Sequence, residues 1–458
     1  MQLISTEYVY PNRKRHTKDK LILILKKSNG EKVRKTVKGT KITYYISKPE
    51  YWDERMSVDI PTEKYIPKDK VYPVTCLFED LYRSIVDELD DNKLRSYFRT
   101  SVTSGEQVRK KLSKIHLDNR LHGTDIFIDD YYINKYLTKN PYEENMFGLT
   151  KSFLDIEVDS SEIQGFPEPD VATEPINAIS YVDDANKVIN SYLLEYPDLK
   201  KFRKFKKNVK SFIKRIEEKY DNEYKVNIYF FEEEIDLIQS LFDYINETKP
   251  DFNSAWNGDF DYRYISNRIV TLGYEPREIM CPEDIPLDEK KVDIRPDERA
   301  TDPADKHSIY NIAGFTNYID EMSLYANITK PFGKKESYSL DFIAEEETGL
   351  RKEEVEGNMK FFHLIDYEKF VEYNIHDSYV LGKIESKTNH IDLLYTLSMI
   401  TRTKIENTLK KTVSINNMAR YFAAEKGLIK SNNRSALYTR PDKKIPGALR
   451  LQVLIKIY

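Results

Sequence analysis

An α/β fold is predicted for the larger part of this chain, preceded by a smaller α+β region, on three observations. From about residue 150, short apolar runs alternate with amphipathic helical segments, the pattern of strands and helices packed in layers. Two acids, Asp155 and Glu157, stand inside the first of these apolar runs. Between residues 1 and 50, the runs LILILKK and KITYYI lean towards strand and are separated by charged turns containing glycine.

Taken in order, residues 75–115 read as helical, with LFEDLYRSIVDEL the clearest amphipathic segment. Residues 117–150 are rich in Asp, Asn and Tyr and predict a crossing between domains. SFLDIEV (152–158), ISYVDD (179–184) and NSYLLEY (190–196) predict the next strands. The run KKFRKFKKNVKSFIKR (200–215) begins a segment with Phe202, Phe205, Val209, Phe212, Ile213 and Ile216 at helical spacing. It predicts a helix with one apolar and one strongly cationic face. That cationic face is either a solvated surface or a stripe facing phosphates. A second basic cluster, NRKRHTKDK, occupies residues 12–20. Ile235, Leu237, Ile238, Leu241, Phe242 and Ile245 mark another amphipathic helix, closed by Pro250 and followed by a short strand, DFNSAW. Residues 281–310, rich in Pro, Asp and Lys, predict an exposed loop or hairpin. From 391, HIDLLYTLSMI and SINNMARYFAAEKG predict helices, the second with Ser414 as N-cap and Gly427 as its stop.

Composition narrows the function. The 458 residues suffice for two or three domains. Hydrophobic content of 40% with 32% charged excludes a disordered tail. A net charge of −4 gives no whole-molecule attraction to nucleic acid, so any such attraction is local. Cys76 and Cys281 lack metal-site spacing and predict neither zinc nor a disulfide framework. The N-terminus has no signal-peptide core, and no run approaches the roughly 18 apolar residues of a membrane span. A soluble, cytoplasmic protein is expected.

Three short motifs carry candidate chemistry. On a strand, Asp155 and Glu157 point the same way while Leu154 and Ile156 enter the core. Two carboxylates side by side repel each other unless a cation lies between them, although a surface acidic pair has the same spelling. Asn257, Phe260 and Asp261 lie where a strand gives way to a helix, a usual position for ligand-bearing residues in open α/β sheets. A polar turn with a helix cap is the simpler reading of that motif. Tyr373 and Asp377 are spaced i, i+4 and so share one helix face, where a buried structural tyrosine is the plain alternative. His376 points off that face and reads as structural.

Together, in this order, D-x-E, N-x-x-F-D and Y-x-x-x-D resemble the exonuclease motifs of family B DNA polymerases. The tyrosine four residues before the last acid resembles the tyrosine subclass of four-carboxylate (DEDD) exonucleases; the histidine subclass would need His where Glu372 stands. GFPEPD (165–170), YIDEMSLYANI (318–328), ESYSLDFIAEEETG (336–349), YNIHDSYVLGKIE (373–385) and RPDKKIPGA (440–448) look like the proofreading polymerases of large tailed phages.

This resemblance implies a ribonuclease-H-like exonuclease domain over 147–392, a mixed sheet flanked by helices. The first part of an N-terminal domain would occupy 1–146, a helical return to it 393–436, and the truncated start of a palm 437–458. It implies a 3′→5′ exonuclease acting in DNA replication with two divalent metal ions, Mg²⁺ or Mn²⁺. Asp155 would bridge the two, Glu157 and Asp377 would complete the first, and Asp261 would help hold the second. Tyr373 would orient the attacking water, and Asn257 and Phe260 would lie near the terminal nucleotide. Phe260 could equally fill the core. The implied partners are single-stranded 3′ ends, primer–template DNA and a second chain carrying palm, fingers and thumb. The palm's metal-binding elements, D-x-x-S-L-Y-P-S and Y-x-D-T-D-S, do not occur in the sequence, so polymerisation is not expected of this chain alone. A split polymerase, an interrupted gene or a truncated relic would each account for that pattern. The alternative to an active nuclease is a non-catalytic nucleic-acid-binding or scaffolding fragment.

Overall fold

Strands form where β-branched and aromatic residues run together or alternate, and this chain supplies several such runs. A computed structural model describes residues 1–11, 18–51, 65–90, 116, 118–143, 148–350 and 359–432. Contacts divide the chain into two compact units, Met1–Gly39 with Asp129–Met418, and Thr40–Ile128 with Ala419–Tyr458. This division differs from the sequence expectation, because the first 39 residues cluster with the larger unit. The palm stub at 437–458 and the motif at 440–448 lie outside the described residues, as does most of the 12–20 cluster.

In the smaller unit, Val71–Leu77, Lys41–Ser47 and Leu121–His122 form an antiparallel sheet, and Tyr65–Pro67 pairs with Leu428–Lys430. Helix Leu81–Leu89 buries Leu81, Ile85, Val86 and Leu89. The helix foreseen from residue 75 therefore starts later, since 75–77 end a strand paired to Lys41–Ser47.

The larger unit opens with an antiparallel sheet of β1 (Gln2–Val9), β2 (Lys20–Lys26) and β3 (Lys32–Lys38). Ile4, Ile22 and Ile24 pack there with Phe315. The 117–150 stretch is not wholly a crossing, because Ile128–Lys139 is helical. Its Asp- and Tyr-rich composition hid the helix, which leaves no clear apolar stripe to read.

The main sheet has six strands, introduced in chain order with the helices that join them. These are β4 (Lys151–Val158), β5 (Ile176–Asp183), β6 (Val188–Leu194), helix α1 (Lys200–Lys219), β7 (Lys225–Phe231) and α2 (Glu234–Thr248). Then come β8 (Phe252–Ala255), α3 (Gly258–Thr271), β9 (Asn317–Asp320), α4 (Glu321–Thr329) and α5 (Tyr367–Thr388). Strand order is β7-β6-β5-β4-β8-β9, with β5 antiparallel to both neighbours and the remaining pairs parallel. This is the expected α/β class, a mixed sheet flanked by helices consistent with a ribonuclease-H-like domain.

Strand alternation divides β4 between two faces. Leu154 and Ile156 join a core with Leu237, Leu241 and Phe242 of α2 and Tyr262 and Ile265 of α3. Phe153, Asp155 and Glu157 take the other face, where α5 lies across β4 and β5. Gly382 permits that close approach, since a Cβ there would stand 3.1 Å from the Phe153 ring. The predicted hairpin appears as Val292–Arg295 paired with Ile309–Ile312. Ser414 is not an N-cap. Its helix starts earlier, at Lys411, and the Ser414 hydroxyl donates to the Thr408 carbonyl at 2.6 Å.

Candidate active site

β4 brings Asp155 and Glu157 to one face because their spacing matches the strand period, and α5 brings Asp377 over them. One carboxylate oxygen from each of Asp155, Glu157 and Asp377 lies within 4.8 Å of the other two. Asp377 is buried, and the other two are partly exposed. Like charges so close repel strongly in a low-dielectric site. Oxygen-only donors of this kind suit a hard divalent cation such as Mg²⁺ or Mn²⁺.

Asp261 stands outside that cluster but near it. It occupies the first turn of α3, is 6% exposed, and its backbone N–H donates to the Asn257 carbonyl at 2.9 Å. Burial above all, then the charges of Asp155, Asp320 and Glu157, push its carboxyl well above the ordinary range. A nearby cation would act against this shift and favour the ionised carboxylate.

Tyr373 is buried one helical turn before Asp377 and hydrogen-bonds to it. Burial, followed by Asp377, Glu157 and Asp155, raises its hydroxyl above the usual phenol range. The phenol therefore stays protonated and remains a hydrogen-bond donor at neutral pH. Asn257 is exposed at the start of α3. Phe260 is half-buried against the main core, with its ring centroid 5.3 Å from that of Tyr264. His376 points elsewhere, towards the Tyr220 hydroxyl at 3.2 Å from its Nδ1, in accord with a structural role.

Sequence reasoning missed three contributors. Asn374 donates from Nδ2 to Asp155 Oδ2 at 2.8 Å and to the Asp155 carbonyl at 3.3 Å, which fixes that carboxylate. The available signal was an Asn inside a helix, where its poor propensity calls for a side-chain partner. Asp320 ends β9 and caps α4 by accepting from the Ser323 N–H at 2.6 Å. Burial pushes its carboxyl up to about 6. Gly258 lets Asp320 sit close, because an added Cβ would meet the Asp320 Cβ at 3.3 Å and the Tyr262 ring at 3.1 Å. Glu372 is the third: Arg215 Nη1 and Lys219 Nζ hold its carboxylate at 2.7 and 2.8 Å. Burial opposes its ionisation, yet Lys219 and Arg215 outweigh burial and lower its pKa. These ion pairs tie α1 to the helix that carries Tyr373 and Asp377.

Comparison with known proteins agrees with this geometry. The family described as DNA polymerase family B, exonuclease domain, matches residues 110–342, a span containing Asp155, Glu157, Asn257, Phe260 and Asp261; Tyr373 and Asp377 follow it. The DNA-directed DNA polymerase of Escherichia phage RB69 is 23% identical over 296 residues, covering 62% of this chain and 30% of that protein. DNA polymerase 1 of Sulfolobus acidocaldarius is 24% identical over 268 residues, 57% of this chain and 25% of its own length. DNA polymerase 1 of Saccharolobus solfataricus is 28% identical over 196 residues, 41% of this chain and 19% of that one. The chain thus spans less than a third of the length of the relatives it matches. No described helix is long and apolar enough to cross a membrane. With more than half its residues matched and an acidic site on the corresponding fold, the chain belongs to the exonuclease-domain family of the family B DNA polymerases.

Proposed function

We propose that the chain is a 3′→5′ exodeoxyribonuclease of the tyrosine DEDD subclass. It would remove 3′-terminal nucleotides during DNA replication. The observation that carries this reading is the convergence of Asp155, Glu157 and Asp377 within 4.8 Å, beside buried Asp261 and Tyr373. Mg²⁺ or Mn²⁺ ions held by Asp155, Glu157, Asp261 and Asp377 would supply an activated water and charge stabilisation for the leaving 3′ oxygen. Asn374 keeps the Asp155 carboxylate turned towards its neighbours. Tyr373, neutral and anchored at Asp377, would hold the attacking water in line. Exposed Asn257 and half-buried Phe260 would contact the terminal nucleotide.

The functional domain would run over 147–392, inside the larger unit that also takes in Met1–Gly39. Palm, fingers and thumb would come from sequence outside these 458 residues, in keeping with the much greater length of the related polymerases. Primer–template DNA is then the working substrate and single-stranded 3′ ends the immediate one.

Tyr373→Phe tests the reading. Losing one hydrogen bond next to charged groups is worth about 1.5–3 kcal/mol, so kcat should fall roughly 10–100-fold with KM little changed. Single-turnover release of 3′ nucleotides from a single-stranded oligonucleotide measures this. An unchanged rate would remove Tyr373 from the mechanism and the tyrosine-subclass assignment with it.

A further inference from the structure

We propose that the solvent face of α1 is a binding surface for the phosphate backbone of DNA. The proposal rests on the nuclease reading above and adds where the substrate lies beyond its reacting end. At about 100° per residue, Lys200, Arg203, Lys204, Lys207, Lys210 and Lys214 fall within an arc of about 120°. That arc is opposite buried Phe202, Phe205, Phe212 and Ile216. The stripe is roughly 20 Å long, room for about six phosphates at B-form rise.

Three features set it apart from an ordinary solvated helix face. No Asp or Glu occurs from 200 to 216, so neighbouring cations at i, i+3 and i, i+4 repel one another instead of pairing. Among the described residues, no carboxylate lies within 4.0 Å of the ammonium or guanidinium nitrogens of Lys200, Arg203, Lys204, Lys207 or Lys210. The N-terminal turn holds no acid, and Leu199 at the N-cap supplies no side-chain bond, so the cations also oppose the helix dipole. Each choice costs helix stability and each is favourable once phosphates are present.

The occupant follows from chemistry. No residue of α1 is among the exposed large hydrophobics, so the face lacks the apolar anchors of a protein interface. Evenly spaced cations alone suit a polyphosphate backbone. Both ends of α1 pack on the helix that carries the site. Phe202 and Phe205 lie against the Tyr367 ring, with centroids 5.2 and 5.4 Å apart. Arg215 and Lys219 hold Glu372, the residue before Tyr373, so the stripe runs beside that helix.

The test is Lys200→Gln/Arg203→Gln/Lys204→Gln/Lys207→Gln, read by fluorescence anisotropy of a labelled single strand and of a duplex of equal length. EDTA prevents hydrolysis, and NaCl is varied. The slope of log affinity against log salt should drop by about 3 on the single strand, at about 0.7 per phosphate. Affinity should fall more than about tenfold at 0.1 M NaCl. A loss on both probes, or on either one, supports the stripe and says which DNA form occupies it. Lys200→Arg/Lys204→Arg/Lys207→Arg should keep the native slope, and this charge-preserving variant guards against a folding defect. Unchanged slopes on both probes with a folded Gln variant, or an equal loss in the Arg variant, would overturn the proposal. Hydrolysis of the p-nitrophenyl ester of thymidine 5′-monophosphate by the native chain tests the nuclease separately, on a substrate too short to reach α1. Hydrolysis with unchanged slopes removes only the stripe, and lost slope without hydrolysis removes only the nuclease.

Discussion

Replacing Asp155 with Ala is expected to lower metal-dependent nucleotide release by about a thousandfold or more. Asp155 is the acid at which the site converges: it shares the 4.8 Å cluster with Glu157 and Asp377, and it also raises the pKa of buried Asp261. On the proposed reading its loss would remove a shared ligand, and charge stabilisation by metal is worth several kcal/mol, with about 1.4 kcal/mol per tenfold in rate. Stability should respond differently. Deleting one carboxylate relieves repulsion among the others, while Asn374 loses an acceptor worth about 1 kcal/mol. The thermal midpoint should therefore change little as activity disappears. Initial rates with Mg²⁺, beside melting curves for both proteins, measure the two effects. A variant retaining a tenth of native activity would show that the cluster is a structural acidic patch.

Asp251→Ala should act in the opposite way, on the fold. Asp251 is fully buried and takes Lys26 at 2.6 Å and Lys32 at 2.8 Å, both nearly buried themselves. Thr150 donates to it through its N–H at 2.7 Å and its hydroxyl at 3.0 Å. Lys26 and Lys32 come from β2 and β3, and Asp251 immediately precedes β8, so this one carboxylate ties the amino-terminal sheet to the main sheet. Removing it strands two ammonium groups in the interior, a change that costs about 3–5 kcal/mol. That is a large share of a typical stability of about 5–15 kcal/mol. The urea midpoint of the variant should fall accordingly. The native pair also carries a pH signature. Burial would raise the Asp251 pKa, but Lys32 and Lys26 outweigh burial and lower it. Its contribution is therefore complete above the unfolded value of about 3.9 and fades as pH falls through the lower folded value. The acid limb of the native stability profile should be steeper than that of the variant.

The contrast between these sites shows what the sequence could disclose. Asp155 with Glu157, and Tyr373 with Asp377, were legible because strand and helix periods convert local spacing into a shared face. The apolar stripes of α1 and α2 were legible for the same reason. The Asp251 pairing was not, since Lys26 lies 225 residues away and no local rule links them. The membership of residues 1–39 in the larger unit has the same origin. Asn374 was passed over beside Tyr373, because its value lies in a strand 219 residues distant. The third motif was readable as a pattern, but the clamp on Glu372 from Arg215 and Lys219 depends on how two helices cross. Ser414 misled because a good capping residue in sequence lies within its helix once Lys411 starts that helix earlier.

The central claim is that the acidic cluster hydrolyses DNA from its 3′ end, and the most direct measurement is a time course on a 5′-labelled single-stranded oligonucleotide. The native chain with Mg²⁺ should yield a ladder that shortens one nucleotide at a time from the 3′ end, absent when EDTA replaces the metal. Label released first as a mononucleotide, shortening that persists in EDTA, or an intact oligonucleotide after long incubation with folded protein would contradict the account.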